Sequence, residues 1–431
     1  MKKVAFQTFG CKLNFAETSQ LSRQFTENGY EIADFKESAD VYVINTCTVT
    51  SIAEKKCKTS IRAAIRRNPD AKVAVIGCFS QLKANEIQEI EGVDIIVGNN
   101  EKHRLLELIA DGVNNTEENC AYCDVKKMEK NDAFVPSYSS GDRTRSFLKI
   151  QDGCDYFCTY CAIPFARGRS RSDTIENIVK SAEKIAHEGL KEVILTGVNI
   201  GDFGKQNNES FFLLIQALDK VKGIERYRIS SIEPELLTDE IIEFVAKSSK
   251  FLPHFHIPLQ SGSNKILKMM KRHYLRELFA DRIHSIKKLM PDACIAADVI
   301  TGFPGETDED FQDTYDFIHS LPISYLHVFT YSERPDTIAA HLEGKVAVNI
   351  RRERSKILQQ LSDLKKHDFY MQNTGLQKKV LFESDVHLGH IFGFTDNYIR
   401  VKTKTNQNLI NTVKPVSLKI LDNDEVFIVE I

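Results

Sequence analysis

At 431 residues the chain is long enough for two or three domains, each with its own core. Its 42% hydrophobic and 27% charged residues are ordinary globular composition. No apolar run approaches the roughly 20 residues that span a bilayer, so no membrane-spanning helix is expected. The opening Met1-Lys2-Lys3-Val4 reads as a strand without the apolar core of a signal peptide, and ten cysteines are too few for a disulfide scaffold of this size. A cytoplasmic protein is expected, with clustered cysteines that bind metal or do chemistry. A formal net charge of −3 neither favours nor excludes a nucleic-acid partner.

The first third reads as an α/β unit with a parallel sheet. Strands are expected over Lys3–Phe9, Asp40–Asn45, Lys72–Gly77 and Val93–Val97. Helices are expected over Asn14–Asn28, Ser51–Arg67 and Glu101–Ala110. Cys11, Cys47 and Cys78 follow the first three strands. Sites in open parallel sheets form outside the carboxyl ends of the strands. The three thiols are therefore expected to converge on one edge as a second three-cysteine cluster, against the plainer reading that each is a small buried side chain. Cys57, inside a helix, and Cys294, at the start of a strand, are assigned that plainer reading.

Residues 111–140 are polar and read as a linker. Within it, Cys120 and Cys123 have C-x2-C spacing but no second pair and no strand-to-helix context. They are read as incidental thiols, with an accessory metal site as the alternative.

A larger α/β region follows. Strands are expected over Phe147–Gln151, Glu192–Thr196, Arg226–Ser230, His254–Leu259, Cys294–Thr301 and Tyr325–Tyr331, most with a helix behind them. Six βα units suggest an open or incomplete barrel with its chemistry at the carboxyl ends of the strands. Right after the first strand comes Gly153-Cys-Asp-Tyr-Phe-Cys-Thr-Tyr-Cys161, the most informative run in the chain. Thiolates of Cys154, Cys158 and Cys161 on one short loop can hold three irons of a [4Fe–4S] cluster and leave the fourth open, whereas electron-transfer clusters take four cysteines. A zinc loop is the alternative, but zinc sites usually present paired C-x2-4-C and no partner pair is found. Gly197, Ser231, Glu233, Gln260 and Gly302 also fall at strand ends, where cofactor or substrate is expected, and glycine there would let a ligand approach the backbone. Arg167, Arg169 and Arg171 alternate just behind the cluster loop. They are read either as a substrate or cofactor carboxylate contact or as a solvated loop.

A basic helix spans roughly Asn349–Gln372. After Asn373-Thr-Gly375, strand-like runs at Lys378–Glu383, Tyr398–Lys402, Thr412–Lys419 and Glu425–Ile431 suggest a small, separable β-barrel of the kind that binds nucleic acid.

Thr8-Phe-Gly-Cys-Lys-Leu-Asn14, Asn45-Thr-Cys-Thr48, Ile76-Gly-Cys78, the Cys154–Cys161 loop with Ala162-Ile-Pro164, Arg167-Gly168 and Leu259-Gln-Ser-Gly262 together resemble the radical-SAM methylthiotransferases across the whole chain. The resemblance implies residues 1–115 as the N-terminal methylthiotransferase domain, 116–142 as a linker, 143–374 as a partial (βα)6 radical-SAM barrel and 375–431 as a TRAM-type RNA-binding barrel. It implies two [4Fe–4S] clusters, on Cys11/Cys47/Cys78 and on Cys154/Cys158/Cys161, with S-adenosylmethionine (SAM). The second cluster would reduce SAM to a deoxyadenosyl radical that takes hydrogen from C2 of adenine, a C–H with no useful acidity. The first would supply sulfur and a second SAM the methyl group. Cys11-Lys-Leu-Asn14 and Ser230-Ser-Ile-Glu-Pro234 resemble the branch acting on N6-threonylcarbamoyladenosine at tRNA position 37. Leu13 stands where that branch usually has valine. The alternatives are N6-isopentenyladenosine in tRNA, a ribosomal-protein aspartate, radical-SAM chemistry of another kind on the same barrel, or a non-enzymatic iron–sulfur or zinc RNA-binding protein. Implied partners are the tRNA anticodon loop, an electron donor such as flavodoxin or ferredoxin, and a sulfur source.

Overall fold

The computed structural model describes residues 1–110, 122–129, 132–141, 143–422 and 425–431. It divides into two compact units. The first comprises Met1–Ser139, Phe147–Asp155 and Cys161–Ser172. The second comprises Ser140–Ser146, Tyr156–Tyr160 and Asp173–Ile431. No described helix is long and apolar enough to cross a membrane.

The first unit is built on six parallel strands: β1 Lys3–Thr8, β2 Glu31–Ala33, β3 Val41–Thr46, β4 Lys72–Gly77, β5 Ile95–Val97 and β6 Tyr122–Asp124, in the order β2-β1-β3-β4-β5-β6. Alternate side chains point to opposite faces, and both faces are covered. Val4, Val41, Val43 and Ile76 pack with Leu21 and Phe25 of α1 (Lys12–Glu27) and Leu105 of α5 (Leu105–Ala110). Ala5, Tyr42, Ile44 and Val75 pack with Cys57 and Ile61 of α2 (Ser51–Arg67). Short helices α3 (Cys78–Leu82) and α4 (Ala84–Gln88) follow β4. The four expected strands are present, and β2 and β6 extend both edges. Each has only three residues, too few to display a period. β6 falls in the polar stretch read as a linker, where Ile95–Val97 pairs with Tyr122–Asp124 and places Cys123 on the sheet edge. Cys120 lies outside the described residues.

The segments around the cluster loop dock on this sheet through buried charges. β8 (Gln151–Asp152) pairs antiparallel with β9 (Arg171–Ser172), behind helix α6 (Ile163–Arg167). Arg167, 1% exposed, donates from Nη1 to Asp152 Oδ1 (2.9 Å) and Glu17 Oε1 (3.2 Å), and from Nη2 to Glu17 Oε2 (3.1 Å) and Asn14 Oδ1 (2.6 Å). Lys149 Nζ reaches Asp152 (2.7 Å) and Glu17 (3.1 Å), Lys102 Nζ reaches Glu17 (2.5 Å), and Arg171 reaches Asp152 (3.4 Å). Burial alone would raise the carboxyl of Glu17, but Arg167, Lys102 and Lys149 hold it far below its ordinary range.

In the second unit the parallel strands are β10 (Glu192–Thr196), β11 (Arg226–Ile229), β12 (His254–Gln260), β13 (Cys294–Thr301) and β14 (Tyr325–Thr330). Arg145 and Ser146, which open β7 (Arg145–Lys149), group with them, and β7 lies beside β10 in the order β11-β10-β7. Bridges Tyr227↔Phe251 and Ser231↔His256 join β11 to the β12-β13-β14 sheet. These are the six barrel strands expected, in chain order. Helices α7 (Ile175–His187), α8 (Phe211–Leu218), α9 (Asp239–Lys247), α10 (Asn264–Met269), α11 (Arg276–Leu289) and α12 (Asp308–Ser320) separate them, and α13 (Val348–Gln372) follows β14.

The C-terminal strands β15 (Gln377–His387), β16 (His390–Thr395), β17 (Arg400–Lys404), β18 (Val413–Ser417), β19 (Ile420–Leu421) and β20 (Phe427–Ile428) form one curled sheet, β18-β15-β16-β17-β20-β19. β16 was not expected. The tight Leu388–Gly389 turn folds it back on β15 as an antiparallel hairpin. The expected separability of this sheet does not hold. Asn373 is buried and accepts from Asn397 Nδ2 (2.9 Å), so Asn373-Thr-Gly375 is an anchored turn. Cys294 of β13 shares a core with Phe369, Tyr370, Val380 and Phe427. Arg228, 1% exposed, donates to Glu192 Oε1 (2.8 Å) and to the carbonyls of Thr395 (2.6 Å) and Asp396 (2.8 Å). Arg226, Arg228 and Arg145 hold the buried Glu192 carboxyl down to about 2 although burial itself would raise it.

Arg228→Met strands Glu192 and the capped carbonyls, and should destabilise the second unit by about 3 kcal/mol in urea titrations followed by circular dichroism. Truncation after Gln372 should yield aggregated protein rather than a folded barrel. In the first unit, burial pushes the Lys102 ammonium down to about 8, with Glu17 opposing. Between about pH 8 and about 10 the unfolded chain therefore holds a proton that the folded chain has released, and stability rises with pH. Lys102→Met should flatten that rise in urea midpoints measured across the window.

Candidate functional site

The strand order of the first unit reverses direction at β1: the chain passes to β2 on one side and to β3 on the other. Crevices at such a switch point are where open α/β sheets bind ligands. Cys11 follows β1, Cys47 follows β3 and Cys78 opens α3 directly after β4. Two close backbone approaches build this edge. Gly10 (φ +99°) lies so near Cys47 that a Cβ there would meet Cys47 Cβ at 2.9 Å and Sγ at 3.0 Å. Gly77 (φ +100°) lies against Thr46, where a Cβ would meet the carbonyl oxygen at 2.6 Å. Asn14 ties the first two loops together, its Nδ2 donating to the carbonyls of Phe9 (2.8 Å) and Thr46 (3.0 Å). Asn99 holds the third: its Nδ2 donates to Ala166 O (2.7 Å) and lies 3.8 Å from Cys78 Sγ.

The thiols sense one another. Burial pushes Cys47 up to about 12, and the nearby Cys78 and Cys11 add to the rise. Cys11 is exposed at its surface, yet the protein packed around its sulfur raises its thiol as well, with Arg167 pulling down and Cys78 pushing up. Thiolates brought together need cationic compensation, which is the chemistry of a metal-ligand set. Three cysteines behind neighbouring strands of one sheet are a donor set of the kind that holds an iron–sulfur cluster. Arg167 stands electrostatically beside Cys11 and Cys78. Both its Nη atoms are engaged by Glu17, Asp152 and Asn14, so the structure places it in the buried ion network. Next to that network is a cavity of about 280 Å³, lined among others by Glu17, Asn99, Lys102 and Asp152. Cys57 is buried in the core as expected, and its Sγ lies 3.8 Å from Cys47 O. Glu17, Asn99 and Lys102 carry no motif that would single them out in the sequence.

The second cysteine loop has little regular structure. Gly153 (φ +71°) runs so close to Arg169 that a Cβ would overlap its carbonyl oxygen, and Cys154 N donates to Gly168 O (3.0 Å). Cys154 and Cys161 group with the first unit and are partly exposed. Cys158 groups with the second and is buried. Burial raises the Cys158 thiol, but Arg272 opposes this with Nη1 3.1 Å from Sγ, a cation placed where a thiolate would sit. Arg272 also pairs with Glu233. Burial pushes the Glu233 carboxyl up to about 7, against Arg272 and with Glu235. Sequence reading missed Arg272, which is isolated in a basic run, Lys271-Arg-His273.

The remaining strand-end residues divide into two kinds. Gly197 follows β10 and is half-buried, Ser231 bridges to His256, and Gln260 ends β12 with φ +65°. Gly262 and Gly302 serve packing: a Cβ would meet Thr314 Cα at 2.7 Å and Arg351 Cγ at 2.3 Å, so each admits a helix rather than a ligand.

Residues 3–98 match Uncharacterized protein family UPF0004, and residues 148–318 match the Radical SAM superfamily. A Bacillus subtilis protein, threonylcarbamoyladenosine tRNA methylthiotransferase MtaB, is 43% identical over 98% of this chain and 94% of its own. Its Aquifex aeolicus namesake is 39% identical over 93% and 96%. A tRNA-2-methylthio-N(6)-dimethylallyladenosine synthase of Pelotomaculum thermopropionicum is 34% identical over 97% and 95%. Among solved structures, the radical S-adenosylmethionine methyltransferase TsrM of Kitasatospora setae superposes with a TM-score of 0.58 at 16% identity, covering 79% of this chain and 77% of that one, which is a likeness of fold. Together with the two thiol triplets, these relatives establish that the chain belongs to the radical-SAM methylthiotransferase family.

Proposed function

We propose that this chain is a tRNA methylthiotransferase that converts N6-threonylcarbamoyladenosine, at position 37 in the anticodon loop, to its 2-methylthio derivative. The observation that carries this is 43% identity to the B. subtilis threonylcarbamoyladenosine enzyme along 98% of the chain, above the 34% of the dimethylallyladenosine relative. Cys11, Cys47 and Cys78 would hold one [4Fe–4S] cluster, and Cys154, Cys158 and Cys161 the other, each leaving one iron without a protein ligand. Bound there with SAM, the clusters supply the one-electron and sulfur chemistry that side chains cannot provide at an aromatic C–H.

The chain's own groups then have defined tasks. Gly10 and Gly77 let the first two thiol loops and the third approach each other, and Asn14 and Asn99 hold those loops in place. Arg167 supplies positive charge beside Cys11 and Cys78, its own position locked by Glu17 and Asp152. Arg272 faces the Cys158 sulfur and is held by Glu233. Gly197, Ser231, Glu233 and Gln260, at the carboxyl ends of the barrel strands, are the proposed contacts for SAM or substrate. Residues 1–115 form the domain of the first cluster, 116–142 a connection, 143–374 the radical-SAM barrel and 375–431 the RNA-gripping TRAM-type sheet. A cytoplasmic location, a flavodoxin- or ferredoxin-like electron donor and a separate sulfur source complete the reading.

Two variants separate the clusters. Cys158→Ala should lose about half the iron and all reductive SAM cleavage. Cys47→Ala should also lose about half the iron but still release 5′-deoxyadenosine, while forming no methylthio nucleoside. Anaerobic iron assays, chromatography of SAM products and mass spectrometry of tRNA nucleosides read all three. Deoxyadenosine from the Cys158 variant, or none from a folded Cys47 variant, would sink this division of labour.

A further inference from the structure

Strands β12, β13 and β14 run in parallel register, with Pro258 opposite Asp298 and Asp298 opposite His327. Side chains two residues apart share a face. On one face Phe255, Ile257, Leu259, Ile295, Ala297 and Val299 are fully buried. On the other face the layers change character along the strands. At the amino ends, His254 stacks on Tyr398 at 4.3 Å, and Cys294 and Tyr325 pack into the core of the C-terminal sheet. That end is closed. Toward the carboxyl ends, Ile300 is half-buried and Phe329 is 40% exposed. Between them lies a polar layer, His256, Asp298 and His327, half-buried, half-buried and exposed. His256 Nε2 and Asp298 Oδ1 are 2.7 Å apart, the rings of His256 and His327 are 5.0 Å apart, and one polar atom from each residue lies within 4.8 Å of the others.

Three convergent polar groups on the open face of an otherwise apolar strand set are what a ligand site looks like. We propose that His256, Asp298 and His327 form the subsite for the N6 substituent of the substrate adenosine, a urea-linked hydroxy acid. This rests on the threonylcarbamoyl reading above. The chemistry matches group for group. The imidazole of His327 donates an N–H to the substituent's carboxylate. Asp298 accepts from its hydroxyl or urea N–H and orients His256. A dimethylallyl group offers none of these partners and would leave the layer unpaired, and sites built on such hydrogen bonds reject analogues that lack them.

The test uses reconstituted full-length enzyme and intact tRNA. kcat/KM is measured on tRNA bearing N6-threonylcarbamoyladenosine and on tRNA bearing N6-dimethylallyladenosine, for wild type, His327→Phe, His327→Asn and Asp298→Asn. Bound iron and thermal midpoint identify the variants that fold. In these, the preference for the threonylcarbamoyl substrate should fall at least tenfold, the larger loss going to His327→Phe. An unchanged preference in all folded variants overturns the subsite. So does stoichiometric zinc, retained by wild type and lost from His327→Phe with preference intact, which would assign the layer to a metal. A wild type that modifies only dimethylallyl tRNA overturns the threonylcarbamoyl reading itself, a failure distinct from that of the subsite.

Discussion

The guanidinium of Arg167 is buried among two carboxylates and an amide, and a charge in that position is tolerated only while every partner stays in place. Glu17 and Asn14 come from α1, the helix that starts directly behind Cys11. Asp152 comes from the strand that leads into the second cysteine loop. Arg167 ends the short helix behind that loop. One ion cluster therefore sets the position of segments far apart in sequence. Its four cations, Arg167, Lys102, Lys149 and Arg171, outnumber the two carboxylates Glu17 and Asp152. Arg167, the member of this cluster that stands electrostatically beside Cys11 and Cys78, is fixed there by its carboxylates.

The thiol edge follows from sheet topology. A parallel sheet points all its strand ends one way, and the reversal of strand order at β1 opens a crevice between the following loops. Glycine is needed twice there, at Gly10 and Gly77, because the backbone must pass within contact of Cys47 and Thr46 at positive φ. Any side chain at either position would push two thiol loops apart.

In the second unit the C-terminal sheet closes one end of the strand set. Arg228 reaches from β11 to its carbonyls, and Cys294 and Tyr325 share its core. A sheet bound this way shapes the enclosed face of the strand set. It leaves the His256–Asp298–His327 layer as the first polar surface above the closed end.

Much of this was legible in the chain. Alternating strands and helices marked the parallel strands of both units, and the strand ends placed Cys11, Cys47 and Cys78 behind three of them, because these signals are local or repeat at every strand end. Three-residue strands such as β2 and β6 carry no period, so their pairing emerges only when a neighbouring strand supplies hydrogen bonds. The run containing Arg167 read equally well as a ligand contact or a solvated loop. Its partners Glu17 and Asn14 lie some 150 residues away, and no local pattern reports a contact at that separation. The separable C-terminal barrel looked plausible from Asn373-Thr-Gly375, yet buried arginines on β11 make it part of one unit. His256, Asp298 and His327 were ordinary strand residues until three strands in register set them side by side. Sequence by itself located the cysteine triplets and the longer strands. Only tertiary structure decided which charges met, since an ion pair's free energy depends on distance and burial that the order of residues does not encode.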